Sequence, residues 1–139
     1  MLSLLKPVYR ASVAVFALVL APSFSFAGDP TGTWLRDIGT SKIRVAPCGD
    51  ALCGSVAWES EPKLDVNNPD ESKRSRPILG TRILFNMKPN GENKWSGSAY
   101  NPEDGKTYSG GMSLDGSTLT TKGCVLGGLI CKSVSWSKS

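Results

Sequence analysis

The sequence predicts an all-β fold: an antiparallel up-and-down meander of about eight short strands that closes into a small barrel stapled by disulfides. Three observations lead there. After Gly28 no segment places apolar residues at i, i+3, i+4 and i+7 over three turns, as an amphipathic helix would. Short runs rich in β-branched and aromatic residues alternate instead with turn residues such as Pro89-Asn90-Gly91, Asp115-Gly116 and Gly127-Gly128. So many short strands must hide their edges, and closure into a barrel does so most completely, with a two-sheet sandwich as the alternative.

The strands are preceded by a leader. Lys6 and Arg10 stand there without an acid, followed by the apolar run Ala11 to Ala21 and by small residues at Ser25 and Ala27. That is the pattern of a secretory signal peptide cut after Ala27, and about a dozen apolar residues fall short of the roughly 18 to 20 that span a bilayer. The chain therefore reads as a leader, 1–27, and one domain, 28–139, exported to the periplasm or secreted, with no stable membrane insertion after cleavage.

Within the domain the expected strands are 32–36, 42–47, 52–59, 80–87, 94–101, 107–114, 118–125 and 129–137. Three runs alternate clearly and so have one buried face: Ile43 with Val45, Ile83 with Phe85 and Met87, and Val134 with Trp136. Ser96-Gly97-Ser98-Ala99 is small and polar, so part of the interior is expected to be thinly filled. An eight-stranded barrel is wide enough for one small ligand.

Four cysteines allow three pairings. A two-residue turn at Gly127-Gly128 would set Leu126 opposite Leu129, Val125 opposite Ile130 and Cys124 opposite Cys131, within disulfide reach. Gly49-Asp50 marks a turn between Cys48 and Cys53, so the expected bridges are Cys48 with Cys53 and Cys124 with Cys131. Loops this short yield roughly 1.5 to 2.5 kcal/mol each in the chain-entropy model. Zinc held by four thiolates is the alternative, and an oxidising compartment disfavours it.

The longest interruption is 60–79, SEPKLDVNNPDESKRSRPIL, a candidate functional loop. Its oxygen-rich part lacks the spacing of a calcium loop, so no metal is expected. Solvated ion pairs are the plain reading, and anion capture by Arg74 or Arg76 the functional one. A second candidate stretch, YNPEDGKTY at 100–108, fits a tight turn in which Asn101 and Asp104 cap nearby N–H groups. Adjacent Glu103 and Asp104 on such a turn do not promise the gap that paired catalytic carboxylates require.

Charge and composition exclude more. Removing Lys6 and Arg10 from the 16 basic residues leaves 14 against 12 acids, a net +2, with no basic stripe for nucleic acid. The chain has no histidine, which rules out a Ser-His-Asp or Cys-His nucleophile, a His-ligated zinc and a histidine pH switch. No enzymatic activity and no cofactor is expected.

Gly32-Thr33-Trp34, Cys48 to Gly54, Arg74-Ser75-Arg76-Pro77, Trp95-Ser96-Gly97, Tyr100 to Tyr108 and Gly123-Cys124 stand in an order that closely resembles a family of small exported bacterial proteins, domain of unknown function 2147. The resemblance runs from Gly32 to Trp136 and implies a lipocalin-like or fatty-acid-binding-protein-like β-barrel, with no established reaction. The expected function is therefore binding of a small apolar or amphipathic ligand in the barrel. Trp58, Trp95, Tyr100 and Tyr108 are the candidate lining aromatics, and Arg74 and Arg76 the candidate polar anchors. The rival reading is a protein-interaction module, such as an exported hydrolase inhibitor or envelope adaptor, using the 60–79 loop.

Overall fold

Turn residues punctuate the domain closely enough that strands occupy most of the described residues. The computed structural model describes residues 28–139, so the expected leader and its cleavage point lie outside the described residues. The strands are β1 (Gly32–Arg36), β2 (Ser41–Cys48), β3 (Ala51–Glu59), β4 (Arg82–Pro89), β5 (Lys94–Asn101), β6 (Lys106–Asp115), β7 (Thr118–Val125) and β8 (Ile130–Lys138). Each pairs antiparallel with the next, and β1 pairs with β8, so the sheet closes into a barrel rather than splitting into a sandwich. No helix among the described residues is long and apolar enough to cross a membrane.

Connectivity sorts the turns to two ends. Turns 37–40, 102–105 and 126–129 share one end with the long 60–81 connection, and the chain termini share the other with turns 49–50, 90–93 and 116–117. We call the first end the mouth.

The core is inside. Trp34, Ile43, Val45, Leu84, Met87, Leu119 and Trp136 form one buried cluster. Burying such side chains contributes about 1.5 to 3 kcal/mol each. The two tryptophans also place their N–H groups: Trp34 Nε1 donates to the Pro30 carbonyl at 2.8 Å and Trp136 Nε1 to Thr121 Oγ1 at 2.9 Å.

Strand β4 departs from the expected alternation. Leu84 and Met87 are buried, whereas Ile83 and Phe85 are only half-buried. Asn86 takes φ 52°, and the pairing with β5 slips between Phe85 and Lys88. This bulge inserts one residue and swaps faces beyond it. It also occupies the interior expected to be thin at Gly97, because a Cβ there would collide with the carbonyls of Phe85 and Asn86.

Both expected disulfides are present, Cys48–Cys53 and Cys124–Cys131, and the described residues hold no free cysteine. The β7–β8 ladder pairs Val125 with Ile130 and Cys124 with Cys131. Beyond it Gly127 and Gly128 take φ 65° and 93°, values of a type I′ turn, and Leu129 N–H returns to the Leu126 carbonyl at 3.3 Å. Leu126 and Leu129 themselves leave strand conformation.

Candidate functional site

Strand parity decides which side chains enter the barrel. Successive residues of a strand face opposite sides, so Arg36 shares the inner face of β1 with Trp34. By the same parity Tyr108 lies inward with Met112 on β6, Gly123 and Val125 with Leu119 on β7, and Ile130 and Lys132 with Trp136 on β8. The ladders joining β5 through β8 and β8 to β1 run without a register break, so the parity holds.

Burial along that inner face is uneven. Trp34 and Leu119, near the closed end, are 1% and 0% exposed, while Val125 and Ile130 at the mouth are 40% and 57% exposed. Inward-facing side chains are thus buried toward one end and exposed on the β7–β8 side of the other, which forms the opening.

Arg36 stands at this opening. Its Nη1 lies 3.9 Å from Glu103 Oε1, on the turn between β5 and β6, which the closed order of strands puts on the opposite side of the mouth from β1. Its Nε is buried and has no hydrogen-bond partner, alone in this among buried side-chain nitrogens and oxygens of the described residues. Leaving a charged donor unpaired costs more than leaving a neutral one, so the position calls for an acceptor. Nearby, Tyr108 donates its hydroxyl to Asp104 Oδ2, and Lys106 N–H donates to Asp104 Oδ1 at 2.9 Å. Burial pushes the Asp104 carboxyl up, but these two bonds and the charges of Lys106 and Lys132 hold it below the usual carboxylate range. The bond to Asp104 in turn raises the Tyr108 phenol.

A second polar cluster lies on the other side of the wall. Tyr100 has opposite parity to Trp95 and so faces outward, where the 60–79 segment covers it. That segment is a folded flap rather than a structureless loop. Asp65 N–H donates to the Arg76 carbonyl at 2.9 Å and Ile78 N–H to the Lys63 carbonyl at 3.0 Å. Asp65, fully buried, accepts from Tyr100 Oη at 2.5 Å, Asn68 Nδ2 at 2.9 Å and Arg76 Nε at 2.9 Å. Burial pushes the Asp65 carboxyl up, yet those three bonds and the Arg76 charge bring it below its ordinary value. Burial and the Asp65 bond push the Tyr100 phenol up to about 12. Asn67 Nδ2 ties the flap to the carbonyls of Pro102 and Glu103, at 3.2 and 3.0 Å.

The six residues singled out in the sequence do not form one site. Arg76 and Tyr100 meet on Asp65, and Arg74 braces the flap through the Asn68 carbonyl at 2.8 Å and Glu71 at 3.7 Å. Tyr108 lines the mouth. Trp95 is buried in the core toward the closed end, and Trp58 lies outside, with Lys42 Nζ 5.7 Å from its ring centroid. Arg36, Lys132 and Asp65 were not singled out. For Arg36 the signal was present in its two-residue spacing from Trp34, whereas the burial of Asp65 depends on a tyrosine 35 residues away.

Two further depressions lie elsewhere. One of about 290 Å³ sits at the closed end beside Pro30, Leu52 and Trp95, and one of about 500 Å³ on the outer wall beside Cys48–Cys53 and Arg82. Neither holds a buried polar group lacking a partner, which makes the mouth the better candidate. Among the described residues no three His, Cys, Asp or Glu side chains gather as a metal site would need.

A bacterial family described as "Uncharacterized protein conserved in bacteria (DUF2147)" matches residues 32–138. The chain belongs to that family. A solved structure, protein HP1028 from the human pathogen Helicobacter pylori, described as belonging to the lipocalin family, is similar with a TM-score of 0.71 and 21% identity. The match covers 80% of this chain and 83% of that one, and at this identity it shows the fold, a lipocalin-like barrel. No curated protein matches at a significant level. The architecture is one suited to binding small ligands.

Proposed function

We propose that the protein is an exported binding protein for a small amphipathic molecule with an acidic head, seated at the open mouth of the barrel. The observation that carries this reading is Arg36: an inward guanidinium whose buried Nε lacks an acceptor. Arginine presents a planar fork of donors that fits a carboxylate or phosphate better than a lysine does. The apolar part of the ligand would lie against Val125 and Ile130, gaining about 25 cal/mol for each Å² removed from water.

Glu103 is the group the ligand would displace. It is well exposed and holds Arg36 at 3.9 Å, a surface pair worth at most about 1 kcal/mol. A ligand anion with better geometry exchanges for it at small cost. The plugged lower barrel favours a small or shallowly held molecule over a long chain swallowed whole. Two disulfides fit an oxidising compartment, in keeping with export.

Native mass spectrometry of the protein purified from its own compartment tests the proposal. An acidic adduct, released by organic solvent, is the expected result. A bare protein that also takes up no acidic amphiphile on reconstitution would refute it.

A further inference from the structure

The exposed large apolar side chains of the described residues all lie toward the mouth end. Leu126 and Leu129 on the β7–β8 turn are 68% and 85% exposed, with Ile130 beside them. Ile38 on the β1–β2 turn and Leu64 and Val66 on the flap extend this apolar rim. Among the described residues the closed end exposes no large apolar side chain.

On the β7–β8 side of the rim the charge is one-sided, whereas Asp37 and Glu61 stand without a salt bridge among the described residues on the β1–β2 turn and the flap. Residues 124–131 carry no charge, and from Thr118 to the last residue there are lysines, Lys122, Lys132 and Lys138, but no acid. Several carboxylates of the mouth end are already engaged: Asp65 with Arg76, Glu71 with Arg74, Glu103 with Arg36 and Asp104 with Tyr108. Lys106 and Lys132 form no salt bridge among the described residues. An uncharged aliphatic tip next to unpaired lysines is complementary to a bilayer surface that bears anionic headgroups.

We propose that the mouth end docks on an anionic lipid surface. The β7–β8 tip enters the headgroup region, and Lys132 and Lys106 meet lipid phosphates. The type I′ turn and the Cys124–Cys131 bridge already fix the tip, so little ordering is lost on insertion. The barrel would then stand with its opening toward the membrane. This surface is independent of whether Arg36 holds a ligand.

The test is vesicle co-sedimentation of residues 28–139, which hold all eight strands and both disulfides. Vesicles of phosphatidylcholine with roughly one-third phosphatidylglycerol should bind the protein, and binding should weaken with added salt. Leu126→Ser with Leu129→Ser should weaken it by about tenfold or more. Lys132→Glu should weaken it as well, which guards against a double variant that folds poorly. The leucine double variant should leave uptake of an acidic amphiphile by Arg36 unchanged while losing vesicle binding, so failure of either proposal is visible separately.

Absence of binding to the anionic vesicles would overturn the inference. So would unchanged binding by the double variant, or equal binding to pure phosphatidylcholine. Sedimentation velocity covers the other occupants. Self-association, or a stable complex with a protein partner, that depends on Leu126 and Leu129 without vesicle binding would assign the rim to that partner and reject the lipid surface.

Discussion

Replacing Asp65 by alanine removes the acceptor for three hydrogen bonds at once, from Tyr100, Asn68 and Arg76. Tyr100 and Asn68 are buried, so each would keep a polar group without its partner, at about 1 to 3 kcal/mol apiece. Arg76 is 37% exposed at its side chain and can turn to water, so its loss lies well below that of a fully buried ion pair. Together these give about 3 to 4 kcal/mol, allowing for partial relaxation of the flap. A domain of this size is stable by about 5 to 15 kcal/mol, so Asp65→Ala should still fold. Its flap should detach first, because the ladders β1 to β8 do not include Asp65. Equilibrium denaturation with both disulfides intact measures the loss, and limited proteolysis at 60–79 reads the detachment. A loss under about 1 kcal/mol, with the flap as protease-resistant as in the wild type, would refute the assignment of Asp65 as the anchor.

Four further expectations concern the same end of the barrel. The folded Asp65 carboxyl titrates below its ordinary value, so its stabilisation is present above the usual carboxylate range and is lost as pH falls through the lowered value. The Tyr100 phenol is raised from 10.0 to about 12, so its contribution is full below about pH 10 and fades as pH rises toward 12, and the stability gap between wild type and Tyr100→Phe should narrow over that interval. Gly105 has φ 71° and a Cβ there would strike the Asn67 carbonyl, so Gly105→Ala should cost about 2 kcal/mol or more and open the flap to protease. Replacing Cys124 and Cys131 together by serine should cost about 2 kcal/mol in thermal or denaturant unfolding and leave the far-ultraviolet spectrum of the barrel in place.

Much of this fold was legible because its determinants are local. Gly-Gly, Asp-Gly and Asn-Gly turns set strand boundaries, and opposition across a two-residue turn was enough to pair Cys124 with Cys131. The bulge at Asn86 was not legible. Ile83, Phe85 and Met87 read as one face, and only the close approach of this backbone to Gly97 fixes the slip.

The candidate site divides along the same line. Arg36 follows Trp34 by two, so its inward direction is a property of local parity. The flap is another matter. Asp65, Arg74 and Arg76 read as solvated charges, and their order comes from Tyr100 and from the carbonyls of Pro102 and Glu103, all distant in sequence. The two candidate arginines thus turned out to support the flap, while the guanidinium inside the barrel came from the first strand.

Calorimetric titration of laurate, a simple acidic amphiphile, into residues 28–139 and into Arg36→Gln tests the central claim most directly. Saturable one-to-one binding to the wild type is expected, weakened by about tenfold or more in the variant, as loss of a charge-assisted contact implies. Equal affinity for both proteins, or no heat of binding to either, would contradict the claim.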